Sequence, residues 1–124
     1  MSGAADFKGK KGITRLINAL AYSRDGLHAA WRHEAAFREE ILLAAVTIPL
    51  ALLLAKSGVE RALLIGSILL ILLVEILNSA LEAVVDKASP EMNELAKRAK
   101  DMGSAAVLLS LLNAAAIWLC VLWR

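Results

Sequence analysis

The segment LLVEILNSALEAVVD, from Leu72 to Asp86, places polar side chains in an otherwise apolar stretch. These polar residues are Glu75, Asn78, Ser79, Glu82 and Asp86. At about 100° per residue of an α-helix they fall within an arc of about 100°, so the helix carries one polar stripe. A carboxylate at the centre of a membrane helix costs about 2.5–3.5 kcal/mol on insertion scales, and such groups are usually functional. The stripe is therefore a candidate site.

Further ionisable residues are predicted at the same level as this stripe, where the neighbouring apolar segments begin. They are Glu34, Glu40, Lys100 and Asp101. Carboxylates at an interface suit Mg²⁺, which often joins protein carboxylates to nucleotide phosphates. Glu75 lies about 10 Å deeper than Glu82 along the helix, where it could accept a proton from a hydroxyl dissolved in the bilayer. The pattern predicts a site that joins a water-soluble anion to a lipid alcohol.

Each polar group also has an alternative explanation. Glu34, Glu40 and Asp86 are equally explained as solvated charges at helix ends, and Asn78 and Ser79 as hydrogen-bonding groups between helices. An acidic side chain within a membrane is also typical of a small cation-coupled transporter. A noncatalytic assembly subunit would leave the stripe unexplained. The sequence contains no GxxxxGK[ST] or GxGxxG motif, so any nucleotide would be bound without these phosphate-binding loops.

The composition indicates a membrane protein. Of the 124 residues, 59% are hydrophobic, against about 45–50% in a soluble domain, and the mean hydropathy is +0.62. Charged residues cluster near the N-terminus, at 56–61 and at 86–101, as expected for connections between membrane spans. The net charge of +2 is too small to indicate a nucleic-acid partner.

The hydropathy pattern predicts a single all-α membrane domain over residues 1–124. Its expected elements are an amphipathic helix at about 12–33 and transmembrane helices at about 35–57, 61–86 and 100–123. The apolar face of the first helix is formed by Ile13, Leu16, Ile17, Leu20, Leu27 and Trp31. Such a face with basic flanks suits a helix lying in the membrane interface, and packing on a soluble core is the alternative.

The distribution of lysine and arginine predicts the orientation in the membrane. Basic residues are concentrated before the first span, beginning with Lys8 and Lys10, and again at 87–100. Both segments should therefore be cytoplasmic, with the N-terminus inside and the polar stripe opening toward the cytoplasm. Three helices offer few interior surfaces for a polar stripe, so enclosing the stripe favours association between chains.

Three segments resemble the bacterial integral-membrane diacylglycerol kinase family, and the similarity covers nearly the whole chain. They are NALAYSRDGLHAAWRHEAAFREE, VEILNSALEAVVD and RAKDMGSAAVLL. The resemblance implies a homotrimer in the bacterial cytoplasmic membrane, in which each chain has three transmembrane helices and an amphipathic surface helix. Neighbouring chains of the family share active sites, which transfer the γ-phosphoryl of MgATP to a lipid hydroxyl.

The resemblance also implies roles for individual residues. Glu75 would be the general base with Asn78 supporting it, and Glu34 and Glu82 would bind Mg²⁺ and nucleotide. Other implied nucleotide contacts are Arg15, Tyr22, Glu91, Lys100 and Asp101. Implied lipid contacts, besides Glu75, are Trp31, Phe37, Ser104 and Trp118.

Two stretches of the sequence bear on which lipid alcohol is the acceptor. The N-terminal AYS…GL…AAW and the C-terminal WLCVLW resemble the Gram-negative members of the family. This likeness favours diacylglycerol as acceptor. Undecaprenol, the acceptor of more distant Gram-positive relatives, is the alternative.

Overall fold

The computed structural model describes residues 11–124, which form four α-helices joined by short connections. The helices are α1 (Gly12–His33), α2 (Ala35–Leu54), α3 (Gly58–Ala88) and α4 (Glu94–Leu122). No β-strand occurs within this range, so the all-helical prediction is confirmed for it. The predicted cytoplasmic residues Lys8 and Lys10 lie outside the described residues.

Polar side chains set the beginnings of the two long helices. At the start of α3 the Ser57 hydroxyl accepts a hydrogen bond from the Glu60 amide at 3.1 Å. At the start of α4 the Asn93 side chain accepts one from the Ala96 amide at 2.9 Å. Such caps satisfy amide groups that have no partner within the helix. The Asn93 cap allows α4 to begin at Glu94, ahead of the span predicted from residue 100.

Helices α3 and α4 are each long and apolar enough to cross a membrane. Only 28% of the most apolar 18-residue stretch of α3 is buried within the chain, and only 11% of the corresponding stretch of α4 is buried. An all-apolar helix of a soluble protein is instead buried in its core, so these exposed helices indicate a membrane protein. Helix α2 does not meet the same criterion of length and hydropathy. Arg38, Glu39 and Glu40 near its start shorten its uncharged stretch.

Helices α2, α3 and α4 pack around a small apolar core. It consists of Ala44, Ile68, Ile71 and Ala114, with Ile48, Leu72 and Trp118 packed against it. The indole Nε1 of Trp118 donates a hydrogen bond to the Ser67 hydroxyl at 3.1 Å, which joins α4 to α3. At the end of α4, Arg124 forms an ion pair with Glu60. The two contacts join the end of α4 to the first half of α3, as expected for antiparallel helices.

Candidate active site

Glu75 is the most buried carboxylate of the polar stripe, with 6% of its surface exposed. It lies close enough to Glu82 and Glu34 for electrostatic interaction, and Glu40 interacts with it from α2. Glu34, Glu40, Glu75 and Glu82, from the α1–α2 junction, α2 and α3, therefore form an acidic cluster. Within residues 11–124 the Glu75 carboxylate forms no hydrogen bond or ion pair. It is thus available to accept a proton.

Asn78 contacts Glu82, one turn further along α3. Its side-chain Nδ2 donates a hydrogen bond to Glu82 Oε1 at 3.3 Å. The family resemblance implies that Asn78 supports Glu75, whereas in the single chain its hydrogen-bond partner is Glu82. Asn78 therefore orients the carboxylate next to Glu75. The Asn78 Oδ1 atom is buried against Gly103 of α4 and has no hydrogen-bond partner within the described part of the chain.

Gly103 brings α4 into contact with this part of α3. A Cβ atom added at Gly103 would overlap Asn78 Oδ1 and would lie 3.2 Å from Asn78 Cγ and 3.6 Å from Leu81 Cδ2. Any side chain larger than hydrogen would push α4 away or displace Asn78. Sequence reasoning passed over Gly103, although it lies in the KDMGS block, because glycine has no side chain that could take part in chemistry.

We therefore expect Gly103→Ala to destabilise the protein and to lower its activity. The new methyl group must displace the Asn78 amide, and overpacking of this kind typically costs about 1–3 kcal/mol. The matched control is Gly66→Ala in α3, where an added Cβ meets no atom within 4 Å. Thermal unfolding in detergent and turnover would be measured for both variants. A Gly103→Ala variant with the unfolding temperature and turnover of the wild type would contradict the close approach of α4 to α3 at Gly103.

Lys100 lies on the side of α4 that faces α3. Its Nζ atom is 2.5 Å from Asp86 Oδ1, and it also interacts electrostatically with Glu82. Asp101 points in another direction: its side chain is 63% exposed and forms an ion pair with Lys97 at 2.7 Å. The single chain therefore brings Lys100, but not Asp101, to the acidic cluster.

Glu34 lies at the break between α1 and α2. Its backbone is extended, with φ −118° and ψ 106°. Its side chain lines a cavity of about 420 Å³ between α1 and α3, together with His33, Ser79 and Ala80. Ligand sites in proteins typically enclose about 300–1,000 Å³. The acidic cluster therefore adjoins a space large enough for part of a substrate.

The other predicted site residues are either exposed or enclosed in the chain. Exposed residues are Arg15, Tyr22, Trp31, Glu91 and Ser104. Phe37 is only 3% exposed, and Trp118 packs against the apolar core. Arg15 precedes Glu34 by about 28 Å along α1, at 1.5 Å per residue. The two residues therefore lie at opposite ends of α1.

The donor set limits the kind of metal site that one chain can form. Residues 11–124 contain no group of three or more His, Cys, Asp or Glu side chains placed to hold a metal. Glu34 and Glu82 supply two carboxylates, each close enough to Glu75 for electrostatic interaction. Mg²⁺ commonly takes one or two protein carboxylates together with phosphate oxygens and water. The two carboxylates therefore fit Mg²⁺ that arrives with a nucleotide.

Comparison with known proteins places the chain in a family. Residues 21–122 match the prokaryotic diacylglycerol kinase family. The chain is 50% identical over 112 residues to a diacylglycerol kinase of Escherichia coli, covering 90% of this chain and 92% of the relative. It is 52% identical over 116 residues to one of Pseudomonas aeruginosa, covering 94% of each. A Helicobacter pylori diacylglycerol kinase is 48% identical over 108 residues, covering 87% of this chain and 84% of the relative. The chain therefore belongs to the prokaryotic diacylglycerol kinase family.

Proposed function

We propose that this protein is a diacylglycerol kinase that transfers the γ-phosphoryl of MgATP to the hydroxyl of diacylglycerol, forming phosphatidic acid. Its family membership and its two membrane-capable helices support a lipid kinase. The observation that carries the chemistry is the buried Glu75 carboxylate, unpaired in the described chain and flanked by Glu34 and Glu82. Neither a transporter nor undecaprenol as acceptor is favoured by the comparisons.

In the proposed reaction Glu75 accepts the proton of the lipid hydroxyl as the hydroxyl oxygen attacks the γ-phosphorus of ATP. The bond from that phosphorus to the β,γ-bridging oxygen breaks, and ADP leaves. Lys100, held at the cluster by Asp86, places positive charge beside the phosphates. Glu34 and Glu82 would hold Mg²⁺, which when bound neutralises charge on the β- and γ-phosphates. Phosphoryl transfer depends mainly on positioning and electrostatic stabilisation. A small helical bundle can supply both.

The remaining site residues are proposed to act between neighbouring chains. Arg15, Tyr22, Glu91 and Asp101 would contact the nucleotide there, and Trp31 and Ser104 would border the lipid. Phe37 and Trp118 are enclosed in this chain and would support the lipid path from within it. The distance of Arg15 from Glu34 and the outward direction of Asp101 support a site completed by a second chain. We therefore propose a homotrimer with shared active sites.

The proposed membrane topology adds α2 as a third span beside α3 and α4. The uncharged part of α2 from residue 41 onward packs on the apolar core of the other two helices. Its charged first turns would lie at the interface with the acidic cluster. Basic residues then place the N-terminus and the active site at the cytoplasmic face of the bacterial inner membrane.

The decisive test is a competition between lipid acceptors. Purified protein in mixed micelles would receive radiolabelled ATP, Mg²⁺, and equal amounts of diacylglycerol and undecaprenol. We expect label in phosphatidic acid. Label mainly in undecaprenyl phosphate would establish the alternative acceptor. No lipid-dependent consumption of ATP would refute the kinase function and favour a transporter or an assembly subunit.

A further inference from the structure

The junction between α1 and α2 is closed by the side chain of Arg38. Its guanidinium Nη1 donates hydrogen bonds to the backbone carbonyls of Trp31 at 2.7 Å and Arg32 at 3.3 Å. Both carbonyls belong to the last turn of α1, where the helix offers them no amide partner. A cation at this end of a helix is also favoured by the helix dipole. Arg38 is thus a C-terminal cap for α1 supplied by α2.

Backbone hydrogen bonds join Glu34 to both helices, and Arg38 donates one of them. The Glu34 amide donates to the Ala30 carbonyl of α1 at 3.0 Å, and the Arg38 amide donates to the Glu34 carbonyl at 3.2 Å. The guanidinium then returns from α2 to the end of α1. Glu34 therefore lies in a closed ring of hydrogen bonds, although it is the one residue between the two helices.

We infer that Arg38 is a positioning residue that fixes the angle between α1 and α2 and thereby directs the Glu34 carboxylate toward Glu82 and Glu75. Glu34 is the only group of the acidic cluster that lies outside a helix, so its direction depends on this junction. The inference rests on the proposed role of Glu34 as a Mg²⁺ ligand. Arg38 itself is directed to backbone carbonyls, not to substrate.

The test is Arg38→Met, which removes the hydrogen-bond donors but keeps an extended side chain. Residues that orient metal ligands typically change metal affinity by about 10–100-fold when lost. We expect the apparent KM for Mg²⁺ at saturating ATP to rise about tenfold, with a smaller change in kcat. Binding of Mn²⁺ with the non-hydrolysable analogue AMP-PCP, followed by electron paramagnetic resonance, should weaken by a similar factor. Arg38→Lys, which retains a cationic donor, should restore part of the affinity.

Arg32→Met is the matched control. Arg32 lies at the same junction, and its exposed side chain makes no hydrogen bond or ion pair within residues 11–124. It should leave both measurements unchanged although it removes the same charge. Thermal unfolding would show whether each variant retains its fold. If Arg38→Met does not fold, Arg38→Gln would be measured in its place.

Two outcomes would overturn the inference. The first is an Arg38→Met variant with the wild-type Mg²⁺ dependence and Mn²⁺ affinity. The second is an Arg32→Met variant that loses as much Mg²⁺ and Mn²⁺ affinity as Arg38→Met. Either result would show that the cap does not position Glu34. Glu34→Gln is measured in parallel: if it leaves metal dependence unchanged in an active kinase, the proposed ligand role of Glu34 itself is wrong. Absence of lipid kinase activity in the wild type would instead refute the proposed function.

Discussion

Replacing Glu75 by glutamine is expected to lower lipid phosphorylation by about 10²–10⁴-fold, the usual contribution of a general base. Glutamine has nearly the same shape but cannot take the hydroxyl proton at neutral pH. Because the Glu75 carboxylate forms no hydrogen bond or ion pair within residues 11–124, the substitution breaks no such contact there. The loss should therefore appear in kcat, with thermal stability unchanged or slightly increased.

The control for Glu75→Gln is Glu39→Gln. Glu39 is exposed near the start of α2 and interacts electrostatically with Glu40 but not with Glu75, so the same change of charge should leave turnover near that of the wild type. Both variants would be assayed with radiolabelled ATP and diacylglycerol in mixed micelles, with unfolding measured in the same detergent. Near-normal turnover of Glu75→Gln would remove Glu75 as the base.

Glu82→Gln is expected to have the second largest effect, and one that depends on Mg²⁺. The glutamine side chain retains an oxygen that can accept the hydrogen bond from Asn78 Nδ2, so the local packing should persist. It lacks the negative charge that Mg²⁺ prefers in its ligands. We expect kcat/KM to fall about 10²-fold at low Mg²⁺ and to recover partly as the Mg²⁺ concentration is raised. The reason is that loss of a metal ligand weakens metal binding at least as much as loss of a residue that supports the ligand.

The matched control for the Glu82 experiment is Glu94→Gln. Glu94 is exposed in the first turn of α4 and faces Arg98 across 3.9 Å, away from the acidic cluster. Rates would be measured across a series of Mg²⁺ concentrations at fixed MgATP. A Glu82→Gln variant whose activity is as sensitive to Mg²⁺ as the wild type would count against its role as a metal ligand.

Helical periodicity predicts much of the acidic cluster. The spacing of Glu75, Asn78 and Glu82 places them on one face of any α-helix, because residues three, four and seven apart lie above one another. The hydrogen bond between Asn78 and Glu82 follows from this local geometry. The extent of α1, Gly12–His33, also agrees with the apolar face read from the sequence. Such features are local, so they require no knowledge of neighbouring helices.

Contacts between helices could not be predicted in this way. Lys100 and Asp101 are adjacent in sequence, and only the packing of α4 on α3 decides that Lys100 meets Asp86 while Asp101 faces outward. The burial of Phe37 and the close approach at Gly103 likewise depend on where helices cross. Successive residues of a helix differ by about 100° in direction, so a small rotation of one helix changes which residues reach the site.

The sequence alone determined the all-helical architecture and the polar stripe, because composition and periodicity act within each segment. The tertiary structure decided which residues meet: Lys100 with Asp86, Gly103 with Asn78, and Arg38 with the end of α1. These pairings depend on helix crossing and on the bend at Glu34. Both depend on packing between separate segments of the chain, which the periodicity within one segment does not determine.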